Sequence, residues 1–158
     1  RLGFCRSNLR SRIQELLILA FAICMAVANA ADSSPSESAS SWLTQAQTEI
    51  KAKNYANAIN TLVAANQTNS ADWNNLLGYA QRKKSPPDLA AAERFYQAAL
   101  KIDPKHRGAL EYYGELLLMK NDLAGAEQML ARLDKVCVFS CEELRDLKEA
   151  IKKYKSKN

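Results

Sequence analysis

The feature that most constrains this chain is a pattern of small and large apolar residues that recurs about every 34 residues. The clearest copy runs from Trp73 to Pro104 and contains two apolar stripes with the three- and four-residue spacing of amphipathic helices. Two prolines after Ser85 end the first of these helices, and Asp88 can cap the second. Each copy is therefore predicted to be a helix–turn–helix unit.

Three such copies align without an insertion when the chain is shifted by about 34 residues. In every aligned column the residue size is kept, whether large or small. The columns are Trp42, Leu76 and Leu110; Ala46, Ala80 and Gly114; Tyr55, Leu89 and Leu123; Ala58, Ala92 and Ala126; and Leu62, Tyr96 and Leu130. Units of this kind bury their apolar faces by stacking, so we predict an all-α solenoid. Its three units span about 39–72, 73–106 and 107–138.

These residues resemble the tetratricopeptide repeat family, in which a bulky residue opens the first helix and a small residue follows one turn later. The alanine in the middle of each second helix and the closing Asp103-Pro104 also follow the family pattern. The resemblance covers roughly residues 39–138. It implies three helix–turn–helix units in a right-handed solenoid.

The first 30 residues have the pattern of a secretory signal peptide. Three arginines lie between Arg6 and Arg12, and an uncharged run extends from Leu16 to a small-residue exit at Ala30. This run is about 15 residues long, shorter than the roughly 18–20 that a membrane-spanning helix needs. We therefore expect residues 1–30 to be a signal peptide, and membrane attachment only through that segment if it is not cleaved. The protein is then expected to be exported, most simply to a bacterial periplasm.

Residues 31–41 are rich in serine and poor in apolar side chains, so they are predicted to be a disordered lead-in. The net charge of +5 depends largely on the leader, which holds four arginines and one acid. A further group of five lysines lies in the tail from Lys148 to Lys157, which we interpret as a solvated helix face. No basic groove with interleaved aromatic residues is visible, so nucleic-acid binding is not expected.

Residues 139–158 are predicted to form a closing helix and a basic tail. Ser140 with Glu143 fits a capping box at the helix start. Apolar residues then recur at helical spacing: Leu144, Leu147, Ile151 and Tyr154. Because the last unit of a repeat array leaves an apolar face, we expect this helix to cover it.

Cys137 and Cys141 remain once the leader is removed, and three hypotheses are open for them. An oxidising compartment favours a structural disulfide between the third unit and the closing helix. The C-x-x-x-C spacing also resembles a copper-binding pair, because Cu(I) prefers soft thiolates. A redox-active thiol pair is the third hypothesis. The same spacing followed by two glutamates is similar to the pattern of small exported bacterial tetratricopeptide proteins. The copper-binding and redox hypotheses together give the alternative function, a periplasmic redox or metal-handling accessory protein that uses Cys137 and Cys141.

The family resemblance implies a concave groove lined by the first helix of each unit. The groove positions that it implies are Leu43, Gln47 and Ile50 in the first unit, Asn74, Leu77, Gln81 and Lys84 in the second, and Glu111, Glu115, Leu118 and Met119 in the third. The lysine–asparagine clamp by which some members hold a terminal carboxylate is missing, because Leu43 and Gln47 occupy its positions. The acidic residues of the third unit favour a peptide with basic residues as the ligand.

Catalysis is not expected from this sequence. His106 is the only histidine, so no Ser/His/Asp set can form, and the five glycines do not form a phosphate-binding loop. The residues predict neither a metal site nor a cofactor as the main function. We interpret the chain as a non-catalytic module that binds a protein or peptide partner in its groove.

Overall fold

The computed structural model describes residues 35–157, with side chains for 41–157. The expected signal peptide and the first residues of the expected lead-in lie outside this range. Seven helices and no strand occur in the described range. The helices are α1 (Pro35–Lys51), α2 (Tyr55–Ala65), α3 (Ala71–Lys83), α4 (Leu89–Ile102), α5 (Arg107–Met119), α6 (Leu123–Val136) and α7 (Glu142–Lys155). None of these helices is long and apolar enough to cross a membrane.

The first six helices form three successive pairs, and the partners within each pair pack most extensively on each other. Helix α7 packs on both α5 and α6, as the first helix of a fourth pair would. This arrangement confirms the predicted all-α fold of three helical units and a closing helix.

Helix α1 begins at Pro35, so residues 35–41 of the expected disordered lead-in are helical. The helical structure therefore starts about two turns before Trp42, where the first helix was predicted to begin.

The middle unit has a longer turn between its two helices than the other units have. The turn spans residues 84–88 in the middle unit, but only residues 52–54 and 120–122 in the first and third. The second helices α2, α4 and α6 begin 34 residues apart, as predicted. The first helices α3 and α5 begin at Ala71 and Arg107, which are 36 residues apart and thus exceed the period by two. The prediction of three units without an insertion is therefore wrong for α3.

Two prolines account for this longer turn. Neither Pro86 nor Pro87 can donate a backbone hydrogen bond to continue α3. The next helix starts after Asp88, whose Oδ1 accepts a hydrogen bond from the N–H of Ala91 at 2.9 Å. This bond confirms the predicted cap of the second helix.

The shifted register is visible at Gly78, which takes the place that the alignment gave to Ala80. A Cβ atom at Gly78 would lie 2.8 Å from Cε1 of Tyr96 and 3.2 Å from the carbonyl oxygen of Ala92, both on α4. Gly114 occupies the equivalent position on α5, where a Cβ atom would lie 2.7 Å from Cδ1 of Leu147 on α7. A glycine therefore allows the close approach of the helix that packs on each of these first helices.

The closing helix covers the third unit with the apolar residues that the sequence predicted. Leu144, Leu147 and Ile151 are buried in the cluster that also contains residues of α5 and α6. The predicted capping box is wrong, because the residue directly before α7 is Cys141 and it makes no side-chain cap bond. Ser140 lies one position too early to serve as the N-cap.

Candidate functional site

One side of the helical array is formed by the first helix of each pair and by α7. Helix α1 contacts α3, α3 contacts α5, and α5 contacts α7, whereas α2, α4 and α6 do not contact one another in the described chain. Successive units lie closer together on the side where their helices touch, so this side is the concave one. We call the surface formed by α1, α3, α5 and α7 the inner face.

The longer turn changes which residues of α3 belong to the inner face. Counted from the helix ends, the α3 positions that correspond to Glu111, Glu115 and Leu118 are Asn75, Tyr79 and Arg82. The same count leaves the first-unit set unchanged. Leu43 and Ile50 are half-buried there, and Gln47 is exposed.

Two predicted groove residues of the second unit are buried for structural reasons. Leu77 is 1% exposed and packs in a core cluster with Trp73. Asn74 is 3% exposed, and its Nδ2 donates hydrogen bonds to the carbonyl oxygens of Thr68 and Ser70 at 2.9 and 2.8 Å. These bonds hold the preceding loop. The assignment of both residues to the groove is corrected: Leu77 is a core residue, and Asn74 holds the loop before α3.

The other two predicted residues of this unit, Gln81 and Lys84, lie where α3 ends. The carbonyl oxygen of Gln81 accepts a hydrogen bond from the N–H of Asp88 at 2.9 Å, and Lys84 is the C-cap of the helix. Their assignment to the groove is also corrected, because it assumed a turn of the same length in all units. The Leu77-Gly78 pair carried the signal for the right register, because the family motif has Leu-Gly in its first helix.

Asn75 takes the place of Leu77 in the corrected register, but it is not open to solvent. It is 6% exposed, and its Nδ2 lies near the position that a Cβ atom of Gly108 would occupy on α5. Its Oδ1 has no hydrogen-bond partner among the described residues. Asn75 therefore fills the seam between α3 and α5.

Arg82 is the most constrained charged residue of the inner face, and it was not among the groove residues predicted from the sequence. Its side chain is 5% exposed, and its Nη2 donates a hydrogen bond to Oε2 of Glu115 at 2.6 Å. Its Nε also donates to the hydroxyl of Tyr96 at 3.3 Å. Burial lowers the pKa of Arg82, but Tyr96 and Glu115 act in the opposite sense and the net shift is upward. The guanidinium therefore stays charged inside the protein.

Tyr79 and Tyr112 extend this cluster across α3 and α5. Their ring centroids are 4.7 Å apart, and the guanidinium carbon of Arg82 lies 5.5 and 5.7 Å from the two centroids. These distances are in the range of cation–π contacts. Burial raises the pKa of both hydroxyl groups, so both rings remain neutral around physiological pH. The aromatic pair thus helps to fix the spacing of two consecutive units.

Glu111 is a buried carboxyl group without an ion pair or hydrogen bond among the described residues; it is 7% exposed. Burial, and after it the charges of Glu115, Asp146 and Glu143, raise the pKa of Glu111 to about 8, while Arg82 acts in the opposite sense. The group is therefore mainly protonated at neutral pH. It does not act as an exposed anion that would attract a basic peptide.

An open cavity of about 350 Å³ lies at the C-terminal ends of α3, α5 and α7 on the inner face. Its apolar part comes from Leu118, Met119 and Ala150. Met119 is 49% exposed, so a large apolar side chain is available to a ligand. The charged lining consists of Arg82, Lys83, Lys153, Lys157 and a single acid, Glu115.

The charge of this cavity differs from the expectation drawn from the third unit alone. Glu115 is neutralised by Arg82, which the longer turn brings to the inner face. Lys153 and Lys157 then come from the closing helix and the residues after it, which were interpreted as a solvated face. The cavity therefore has an excess of positive charge, and the expectation of a basic ligand does not fit it.

Cys137 and Cys141 lie between α6 and α7, with Cα atoms 5.9 Å apart and their sulfur atoms at bonding distance. The two large apolar residues between them are strongly exposed, Val138 at 84% and Phe139 at 86%. Within residues 35–157 no group of three His, Cys, Asp or Glu side chains is arranged to hold a metal ion.

His106 caps a helix. Its side chain is only 14% exposed, so it is not a solvated loop residue. Its Nδ1 accepts a hydrogen bond from the N–H of Ala109 at 3.0 Å, at the start of α5. Its Nε2 lies 3.0 Å from Oδ1 of Asp72 on α3. Both ring nitrogens are therefore occupied by contacts that join two units.

Comparison with known proteins agrees with this architecture. A tetratricopeptide repeat family model matches residues 88–151, from the start of α4 into α7. No curated protein sequence matches the chain.

Solved structures of the type III secretion translocator chaperone SycD of Yersinia enterocolitica have a similar fold. One has a TM-score of 0.67 and 18% identity, over 80% of this chain and 89% of that chain. SycD in complex with a peptide of the translocator YopD has a TM-score of 0.63 and 17% identity, over 77% of this chain and 95% of that chain. At such identities the likeness concerns the fold. The family match thus identifies tetratricopeptide repeat sequence in residues 88–151, and the described helices have the fold of these structures.

Proposed function

We propose that this protein is a non-catalytic interaction module that binds a peptide segment of a partner protein on its inner face. The observation that carries the proposal is the open cavity of about 350 Å³ between α3, α5 and α7. An apolar floor with charged groups at its rim is suited to one anchoring side chain of an extended or helical segment. The structure of SycD with a peptide of YopD supports a peptide as the ligand, because SycD has a similar fold.

The walls of the cavity are held in place without a ligand. The ion pair between Arg82 and Glu115 links α3 to α5, and Leu147 of α7 packs closely against Gly114 of α5. A site whose walls are already ordered loses less conformational entropy on binding. This preorganisation favours a binding role for the inner face over a purely structural one.

Site-specific photo-crosslinking in the native host tests the proposal. A photoreactive amino acid replaces Met119 in the cavity and, as a control, Gln128, which is exposed on α6. We expect a crosslinked partner only from the Met119 position. The variant Ala150→Trp fills the cavity and should abolish the crosslink, whereas Ala131→Trp on the exposed face of α6 should leave it unchanged. Equal crosslinking from both positions, or no effect of Ala150→Trp, would contradict the proposal.

The proposal includes export from the cytoplasm and a structural disulfide between Cys137 and Cys141. The leader-like pattern of residues 1–30 supports export. The short distance between the two cysteines supports the disulfide, because a bridge requires Cα atoms that are roughly 4.4–6.8 Å apart. Cell fractionation tests the first part: we expect the protein in the exported fraction, and its retention in the cytoplasm would contradict export.

A further inference from the structure

We infer that the segment bound in this cavity is acidic, with an apolar side chain against Met119 and carboxylates beside the lysines at the rim. The inference rests on the proposed function, since it names the chemistry of the ligand at the same site. Three features of the structure support the inference: the apolar floor of the cavity, the lysines without an ion pair at its rim, and the nearby acids that are buried or ion-paired.

The apolar floor explains why one apolar side chain is part of the ligand. Leu118 is 8% exposed and belongs to the core, so it forms a fixed base. Met119 and Ala150 lie beside it with more exposed surface. Methionine adapts its shape to a ligand, because its side chain is unbranched and has three rotatable bonds.

Three lysines at the rim have no ion pair among the described residues: Lys83, Lys153 and Lys157. Neighbouring lysines of α7 differ, since Lys148 pairs with Asp134 at 3.6 Å and Lys155 pairs with Glu127 at 2.5 Å. Lys83 comes from α3, Lys153 from the last turn of α7 and Lys157 from the residues after α7, and all three line one cavity.

The ends of the helices reduce this positive field but do not cancel it. The C-terminal ends of α3, α5 and α7 each carry roughly half a unit of negative charge from the helix dipole. Three lysines outweigh three such ends, and Glu115 is already paired with Arg82. Carboxylates of a ligand are therefore the groups that complement the rim.

Glu111 and the acids of α7 that surround it do not offer a competing site for a basic ligand. Glu143 lies 3.6 Å from Arg107, and Asp146 lies 3.2 Å from Arg145. Glu111 is buried, as described above. Acids that are paired or buried leave little negative field for a cationic segment, so the observations favour an acidic one.

The test measures binding of three fluorescent peptides to the full chain by anisotropy. Each probe has a central leucine in an alanine–serine background, flanked by glutamates, by glutamines or by lysines. We expect the glutamate peptide to bind about tenfold more tightly than the glutamine peptide, a difference of one decade in Kd. We expect the lysine peptide to bind most weakly. The preference should shrink at high salt, because ions screen the exposed lysines.

A charge-reversal pair and a matched control locate the effect. Lys153→Glu with Lys157→Glu should weaken the glutamate peptide about tenfold and strengthen the lysine peptide. The control is Lys101→Glu with Lys135→Glu, which makes the same change in net charge at exposed lysines of α4 and α6, outside the inner face. It should leave all three affinities unchanged. An equal loss with the control pair would overturn the inference, because attraction would then depend on net charge alone.

The remaining outcomes separate this inference from the proposed function. If all three peptides bind equally and Ala150→Trp weakens them all, the cavity binds peptides but the acidic preference is wrong. If none binds and Ala150→Trp leaves the Met119 crosslink unchanged, the proposed function fails as well. A crosslinked partner segment without an acidic residue beside an apolar one also overturns the inference. So does lysine-dependent binding to phosphatidylglycerol vesicles together with failure of the glutamate peptide.

Discussion

Arg82 on α3 and Glu115 on α5 form an ion pair of 2.6 Å, although the two residues belong to different helical units. The side chain of Arg82 is 5% exposed and that of Glu115 is 28% exposed. The hydroxyl of Tyr96 accepts a second hydrogen bond from Arg82. The pair links consecutive units beneath the proposed binding cavity, so it affects both the stability of the array and the shape of its inner face.

Replacement of Arg82 by alanine should lower the free energy of unfolding by about 2 kcal/mol. This is less than the roughly 3–5 kcal/mol for breaking a fully buried pair, because Glu115 is partly exposed. The loss leaves Glu115 and the Tyr96 hydroxyl without their partner. Urea denaturation measures the change. The control Arg94→Ala, at an exposed residue of α4, should change stability by less than about 0.5 kcal/mol. Similar losses in both variants would show that the ion pair contributes no more to the free energy of unfolding than an exposed arginine does.

Replacement of Glu111 by glutamine should make the protein more stable at alkaline pH. The pKa of Glu111 is about 8 in the folded protein, above the ordinary value of 4.5. Its contribution to stability is therefore fully present below pH 4.5 and is lost as the pH rises through 8. Glutamine cannot ionise, so we expect a gain of about 2 kcal/mol at pH 9 and little change at pH 5.

The measurement for Glu111→Gln is the free energy of unfolding at pH 5, 7 and 9. Glu149→Gln, at an exposed position of α7, is the matched control and should follow the wild-type pH dependence. Parallel pH curves for the Glu111 variant and the wild type would contradict the role assigned to burial of this carboxyl group.

Alanine at Gly78 should destabilise the protein more than alanine at Gly114. The added Cβ atom at Gly78 meets the ring of Tyr96, which is fully buried, and also the backbone of Ala92. At Gly114 the three nearest atoms all belong to the buried side chain of Leu147, which can shift without moving a backbone. We expect a loss of about 2 kcal/mol for Gly78→Ala and about 1 kcal/mol or less for Gly114→Ala. Thermal denaturation of both variants checks the order, and the reverse order would count against the register of α3.

Removal of the proposed disulfide should lower stability modestly without unfolding α7. A bridge between residues as close as Cys137 and Cys141 contributes about 2 kcal/mol by restricting the unfolded chain. The double variant Cys137→Ser with Cys141→Ser should therefore lose about that amount and keep its helical content by circular dichroism. Thiol titration of the denatured, unreduced protein without residues 1–30, which hold Cys5 and Cys24, should find neither cysteine free. Two reactive thiols, with unchanged stability on reduction, would instead support the redox alternative.

Much of the fold could be predicted because helix formation depends on residues a few positions apart. The spacing of apolar residues predicted each helical unit, and the residues around Leu147 predicted the closing helix. The family resemblance, carried over by register, placed Leu43, Gln47, Ile50, Glu115 and Met119 on helices of the inner face, although it could not specify what each contacts.

The register of α3 could not be read from helix periodicity alone. Two additional residues in the turn at 84–88 leave the apolar spacing of both helices intact. They nevertheless shift the aligned positions on α3 by two residues. Each residue turns about 100° around the helix, so the residues predicted for the groove lie about 200° around α3 from the inner face. Leu77 is consequently in the core, while Tyr79 and Arg82 take the positions on the inner face.

By itself, then, the sequence determined an all-α chain of paired helices with an amphipathic closing helix, because those features depend on local periodicity. The tertiary structure alone decided the charge of the inner face. It paired Arg82 with Glu115, buried Glu111 and brought Lys153 and Lys157 to the same cavity as Met119. Electrostatic character depends on which charges lie within a few ångströms of one another in space, and that is set by the stacking of helices that are distant in the chain.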